Sequence, residues 1–256
     1  MNTKTILSII GITLANITST TTYAIGTNSE NKGADITLVT ATTKQWQAGR
    51  IVSMAEIKKN GLEHYFCKRN IDNPIFARIY GKSYKTNCTL PRTELRYLQL
   101  LHYTVDGRIM TGEMICHKDI ANDLIEIFRK LYDAHYPIER MQLIDDFGAD
   151  DVTSMNNNNT SCFNFRKVAG SKVLSAHSKG MAIDINPLYN PCVRKNAQGQ
   201  VIVQPEAGKK YADRNKRFDY KISPNDLCHK LFVQHGFVWG GSWKRVKDYQ
   251  HFEKPE

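Results

Sequence analysis

The amino-acid sequence predicts an α+β fold: a small central antiparallel sheet, helices packed on one of its sides, and a cleft on the sheet. Three observations predict it. Residues 100–102 and 105–109 together make a hairpin signal, because Asp106-Gly107 within the second stretch fits a tight primed turn. Residues 118–135 carry Ile120, Leu124, Ile127, Phe128 and Leu131 at three-to-four spacing, which gives a helix one apolar face. Residues 181–186 alternate. Read as a strand, Met181, Ile183 and Ile185 point one way and Ala182, Asp184 and Asn186 the other.

The 256 residues suit one domain with an N-terminal extension. Residues 1–24 read as a signal peptide, with Lys4 before an apolar run over 6–17 and Thr22-Tyr23-Ala24 as a cleavage site. The alternative is a retained N-terminal anchor. In either case the folded part is exported, to the periplasm or the extracellular space. No other apolar run approaches the roughly 18 residues of a spanning helix, so no membrane span is expected in the mature chain. Residues 25–44 are polar and aperiodic and read as a flexible linker. Residues 45–89 read as an N-terminal extension packed on a main domain over 90–256.

The formal net charge is +10. Lys and Arg are scattered, with no arginine stripe and no nucleic-acid module, so a nucleic-acid partner is not expected. In an exported protein such charge attracts anionic envelope polymers, and a generic basic surface is the plainer alternative. Six cysteines in an exported chain permit disulfides, and none lies in a Cys-x-x-Cys pair. Proximity suggests Cys67 with Cys88 and Cys162 with Cys192; free buried thiols are the alternative.

Pro137 stops the helix predicted over 118–135. Residues 138–144 read as a strand and residues 145–160, acidic and then Asn-rich, as a loop. In residues 163–166, alternation sets Asn164 and Arg166 opposite Phe163 and Phe165. Residues 187–219 are rich in charge, Pro and Gly and read as a long excursion. Ser223-Pro224-Asn225-Asp226 reads as a helix start, with Leu227, Leu231, Phe232 and His235 on the apolar side and Gly236 at the end. Trp239 and Trp243 either line a cleft or join the core.

The chemistry concentrates at two places. Ser175-Ala176-His177-Ser178-Lys179-Gly180 leads into the strand that carries Asp184, and Gly180 lets the chain turn so that His177 returns over the polar face. Near the end, Asp248-Tyr249-Gln250-His251 adds a histidine with an aspartate three residues before it. A hydrolytic zinc site needs three protein ligands, an open position and a carboxylate near the water. His177, Asp184 and His251 fit as ligands and Asp248 as the carboxylate. The other six histidines lack a partner at ligand spacing and read as structural.

Together, Ser-x-His-x-x-Gly-x-Ala-x-Asp and Asp-x-x-His-Phe resemble a family of bacterial cell-wall zinc peptidases. These are D-alanyl-D-alanine carboxypeptidases and L-alanyl-D-glutamate endopeptidases, in a superfamily shared with lysostaphin-type peptidases and the hedgehog domain. The resemblance spans residues 90–253 and implies a zinc peptidase domain, a Zn²⁺ cofactor, and peptidoglycan stem peptides as substrate. Asp248 and Gly240-Gly241-Ser242-Trp243 are similar to the endopeptidase branch. Arg166 could serve as a planar donor to the substrate carbonyl oxygen or to a carboxylate, and the resemblance implies such an arginine in the site; on its own it reads first as a surface arginine at a strand end. Asp248 would serve as general base and Arg166 as oxyanion donor. A non-catalytic cell-wall-binding domain on the same scaffold is the alternative from another class. Oligomeric state is not read from the sequence.

Overall fold

The computed structural model describes residues 46–168 and 170–255. The expected signal peptide over 1–24 and linker over 25–44 lie outside the described residues. Helix α1 (Met54–Asn60) begins where the Ser53 hydroxyl accepts from the Glu56 amide. Strand β1 (Cys67–Asn70) follows, and then α2 (Asn73–Ile79), capped by Asp72 with Pro74 in its first turn. β2 (Leu95–Tyr103) and β3 (Ile109–His117) form the hairpin, paired from Leu95 opposite His117 to Tyr103 opposite Ile109, and β1 pairs antiparallel along β2. Gly107 takes φ +79°, where a side chain would be strained, but Asp106 keeps a negative φ, so Thr104 to Arg108 form a longer loop and not the tight primed turn expected. The strands run well beyond 100–109. They are buried on both faces, so their sequence lacks the alternation that marks a half-exposed strand.

Helix α3 (Ala121–Asp133) packs on this sheet through Leu124, Ile127, Phe128 and Leu131, the stripe its spacing predicts. β4 (Arg140–Met141) is shorter than the strand expected over 138–144. The expected loop over 145–160 instead holds α4 (Asp151–Asn156), whose N-cap Asp150 accepts from the Thr153 amide at 2.8 Å. β5 (Asn159–Thr160) then pairs parallel with β4. Residues 163–166 form no strand, and Phe163, Asn164 and Phe165 are all buried.

Next come β6 (Ala182–Asp184), β7 (Cys192–Lys195), β8 (Val201–Gln204), α5 (Leu227–Gln234), β9 (Val238–Trp239), β10 (Val246–Asp248) and β11 (His251–Glu253). The excursion expected over 187–219 therefore contains a β7–β8 hairpin. Its strands are half exposed; Arg194 and Lys195 dilute the apolar signal of β7, whereas the β-branched run Val201-Ile202-Val203 of β8 is a strand signal that the Pro, Gly and charges around it hid. α5 is capped by Asp226, whose carboxylate accepts from the Cys228 amide, and not by Ser223. The class is α+β. The antiparallel strands are shared among three small sheets, β1-β2-β3, β10-β7-β8 and β6-β11-β9.

Phe252 is fully buried beside the C-terminal motif, stacked on Phe232 at 4.4 Å between ring centres and on Trp239 at 6.4 Å. Burial of a side chain that size contributes roughly 1.5–3 kcal/mol and pins its neighbour His251. All six cysteines are free thiols, so the pairings suggested by proximity are not made. Cys162 lies under the His177 turn with Sγ 3.4 Å from the Gly180 carbonyl, whereas Cys192 stands opposite Asp248 across β7 and β10.

Candidate metal centre

Two backbone devices bring the separated motifs together. The first is a single turn of 3-10 helix, Ala176–Lys179, opened by Ser175, whose hydroxyl accepts from the His177 amide at 3.3 Å. Gly180 closes the turn at φ +67°, and a Cβ there would lie 2.7 Å from the His117 backbone nitrogen. Only glycine lets the turn sit this close to β3. The second device is strand register. β6 and β11 pair antiparallel with His251 directly opposite Asp184. Gly240 keeps the loop before β10 tight, because a Cβ there would meet the Asp248 carbonyl at 2.7 Å and His251 Cβ at 3.3 Å.

Three atoms converge as a result. His177 Nε2 lies 3.3 Å from Asp184 Oδ2 and 3.3 Å from His251 Nδ1, and His251 Nδ1 lies 3.1 Å from Asp184 Oδ1. The opposite ring nitrogens have partners of their own. His177 Nδ1 is 2.6 Å from the Cys162 carbonyl and His251 Nε2 is 3.2 Å from Glu253 Oε2. A carbonyl can only accept, so Nδ1 of His177 carries the proton and Nε2 turns a lone pair inward. The Glu253 carboxylate likewise draws a proton to Nε2 of His251 and frees Nδ1 for a metal.

This donor set fits zinc. Bonds of about 2.0–2.1 Å in tetrahedral geometry place neighbouring ligand atoms about 3.3 Å apart, and two neutral imidazoles with one carboxylate leave a fourth position open. The electrostatics agree. Burial pushes the Asp184 carboxyl up, but the charge and hydrogen bonds of His177 and His251 outweigh it and hold the group well below the usual carboxylate range. Burial works against a charged His251, yet its bonds to Asp184 and Glu253 raise it to about 10. In the metal-free protein a proton therefore shares the place a cation would take, and the two compete.

The three residues open into a cleft of about 430 Å³. Asp248 lines it from β10; burial raises its carboxyl above the ordinary value, and Gln250 Nε2 donates to it at 3.2 Å. Arg166 lines it too. Its guanidinium is ion-paired with Asp151, and its amide donates to Ser178 Oγ at 2.8 Å, which ties it to the His177 turn. The two tryptophans divide: Trp239 is core, and Trp243 lines the cleft 5.3 Å from the His251 ring. A larger cavity of about 610 Å³ lies among Leu90, Ile120, Phe165 and Met181 and shares no residue with the cluster. The chemistry, not the volume, marks the site.

All five residues singled out from the sequence thus face one cleft. Sequence reasoning missed four features: the Cys162 carbonyl, Asp151, Cys192 and Glu253. Only Glu253 had a readable signal, because it follows His251 by two residues on a strand and so shares its face.

No curated protein and no solved structure matches the chain. Residues 169–254 match the model of a family described as D-alanyl-D-alanine carboxypeptidase. That stretch includes His177, Asp184, Asp248 and His251 and begins after Arg166. The match supports a cell-wall zinc peptidase family for this chain, the one its two motifs resemble.

Proposed function

We propose that the protein is an exported zinc peptidase that hydrolyses peptidoglycan stem peptides, as an L-alanyl-D-glutamate endopeptidase. The observation that carries this reading is the meeting of His177, Asp184 and His251 at 3.1–3.3 Å in a cleft that also holds Asp248. Zinc held by these three side chains would supply a Lewis acid for the peptide carbonyl and lower the pKa of a water. Asp248 takes the proton of the attacking water and returns it to the departing amine. Its place on β10, three residues before His251, fixes base and ligand by a short backbone span. Arg166, oriented by Asp151 and Ser178, donates to the oxygen that gains negative charge. Among the described residues no helix is long and apolar enough to cross a membrane.

The description of the matched family favours a second reading, D-alanyl-D-alanine carboxypeptidase. A carboxypeptidase must hold a free terminal carboxylate and should fail on a C-terminally amidated peptide; an endopeptidase should cut both. Digestion of purified peptidoglycan, with mass spectrometry of the fragments, tests the whole proposal. Asp248→Ala is expected to keep stoichiometric zinc and to lose hydrolysis. Cleavage at the wild-type rate by that variant removes Asp248 as the base. Zinc-loaded wild-type protein that binds the wall without cutting it would establish the non-catalytic alternative.

A further inference from the structure

We propose that Arg194 is the residue that reads a free carboxylate on the substrate, next to the bond that is cut. This rests on the peptidase reading above. One face of the β10-β7-β8 sheet forms a wall of the cleft: Val246 and Asp248 from β10, Cys192 and Arg194 from β7, and Gln204 from β8. Asp248 pairs with Cys192 and Val246 with Arg194. Arg194 therefore sits one two-residue step from the position opposite Asp248, about 7 Å along the strand.

Charge pairing in the cleft isolates Arg194. Asp184 is held by the two histidines, Glu253 by His251, and Asp151 by Arg166. Asp248 accepts from Gln250 and stands beside the Cys192 thiol. Arg194 makes no ion pair and no side-chain hydrogen bond with any described residue, although it is only half exposed. A guanidinium offers five donors in a planar fork that matches a carboxylate in two parallel bonds. Lys167, at the exposed rim, adds positive charge but has no fork.

A stem peptide offers such a carboxylate from two sources: the terminal carboxylate of D-Ala-D-Ala, and the α-carboxylate of a D-Glu linked onward through its side chain. Arg194 suits either one. The residue is therefore a determinant of specificity, and the source it reads decides whether the enzyme acts at chain ends or within the stem.

The experiment compares wild type, Arg194→Gln and Arg194→Lys on two pairs of synthetic peptides. One pair ends in D-Ala-D-Ala as free acid or amide; the other carries L-Ala-D-Glu with the α-carboxylate free or amidated. Zinc content checks that each variant is folded. Wild type is expected to prefer the free acid of one pair, and that pair names the source. Arg194→Gln should raise KM for it about ten-fold or more, change kcat much less, and erase the acid-to-amide preference, with Arg194→Lys between. Calorimetric binding of the same peptides, with Asp248→Ala added to wild type and to each variant, reads that preference without turnover. Cleavage with an undiminished preference in Arg194→Gln overturns the Arg194 assignment alone. No cleavage by wild type, with the binding preference still lost in Arg194→Gln, overturns the peptidase reading alone. No cleavage and equal binding overturn both.

Discussion

Two buried charge clusters in this molecule are built from similar parts and come to opposite ends. In the hairpin, Glu113 is 1 % exposed; its two oxygens meet the Arg78 guanidinium at 2.6 and 2.9 Å, and the Tyr97 hydroxyl donates to it. At its more exposed side the same guanidinium also meets Asp146 Oδ1 at 3.5 Å, so each charged group has a partner of opposite sign within the chain, and the cluster is closed. In the cleft, Asp184 faces two imidazoles whose outer nitrogens are already engaged by Cys162 and Glu253. Three lone-pair atoms are left pointing at one another, and only protons or a metal ion relieve that arrangement. A buried polar cluster is architecture when its charges cancel within the chain, and it is a site when it needs a guest.

The largest effect expected from this contrast is the response to the guest. Zinc at about a thousand times its dissociation constant should stabilise the wild type by about 4 kcal/mol, and chelation should remove that gain. His177→Ala should abolish the response. Thermal melts with zinc and with chelator measure it. An equal response in His177→Ala would mean that the ion binds elsewhere.

The closed cluster should behave in the opposite way. Arg78→Met strands the Glu113 carboxylate and is expected to cost about 3 kcal/mol, the lower end for a broken buried pair because Arg78 is partly exposed. Zinc stoichiometry should not change. Urea unfolding alongside metal analysis separates the two outcomes, and loss of zinc in Arg78→Met would show that the regions are coupled.

His102 adds a pH test of the same closed region. It is fully buried on β2, with Nδ1 2.6 Å from the Ile138 carbonyl, and burial pushes its pKa down to about 4. Above about pH 6.5 the ring is neutral in both folded and unfolded chains and contributes nothing. As pH falls below that, the unfolded chain takes the proton first, and stability is lost progressively until about pH 4, by up to about 3 kcal/mol. His102→Gln should flatten this part of the stability profile relative to wild type, with both proteins free of zinc. An unchanged slope between pH 7 and 4.5 would show that His102 does not titrate in that window.

The two regions were also unequally legible in the sequence. The hairpin and α3 were readable because Asp106-Gly107 and the stripe from Ile120 to Leu131 are local signals. The lengths of β2 and β3 were not, since strands buried on both faces lose their alternation. In the cleft, spacing singled out His177, Asp184, Asp248 and His251. The geometry that joins them was hidden, because the register of β6 on β11 is a long-range pairing. The hairpin that carries Arg194 was read as an irregular excursion because β7 is half exposed and charged and the Pro- and Gly-rich sequence around it outweighed the β-branched run of β8. The partner of His177 is the Cys162 backbone carbonyl, which no residue type announces.

Glu253 gives the finest test of what makes the open cluster a metal site. Its Oε2 lies 3.2 Å from His251 Nε2, and it shares the cleft face of β11 with that ring. If it fixes the tautomer and raises the basicity of His251, removing its charge should weaken zinc binding about 10- to 100-fold without altering the ligand set. Glu253→Gln keeps an acceptor and loses the charge, whereas Glu253→Leu loses both. The expected order of zinc affinity, read by competition with a chromogenic chelator, is wild type, then Gln, then Leu. The hydrogen bond of the Glu253 carboxylate among the described residues is to His251, so neither substitution should disturb the Arg78–Glu113 pair. Wild-type affinity in Glu253→Leu would mean that His251 is oriented by its place opposite Asp184 alone, and that strand register, rather than the outer carboxylate, holds the ring for the metal.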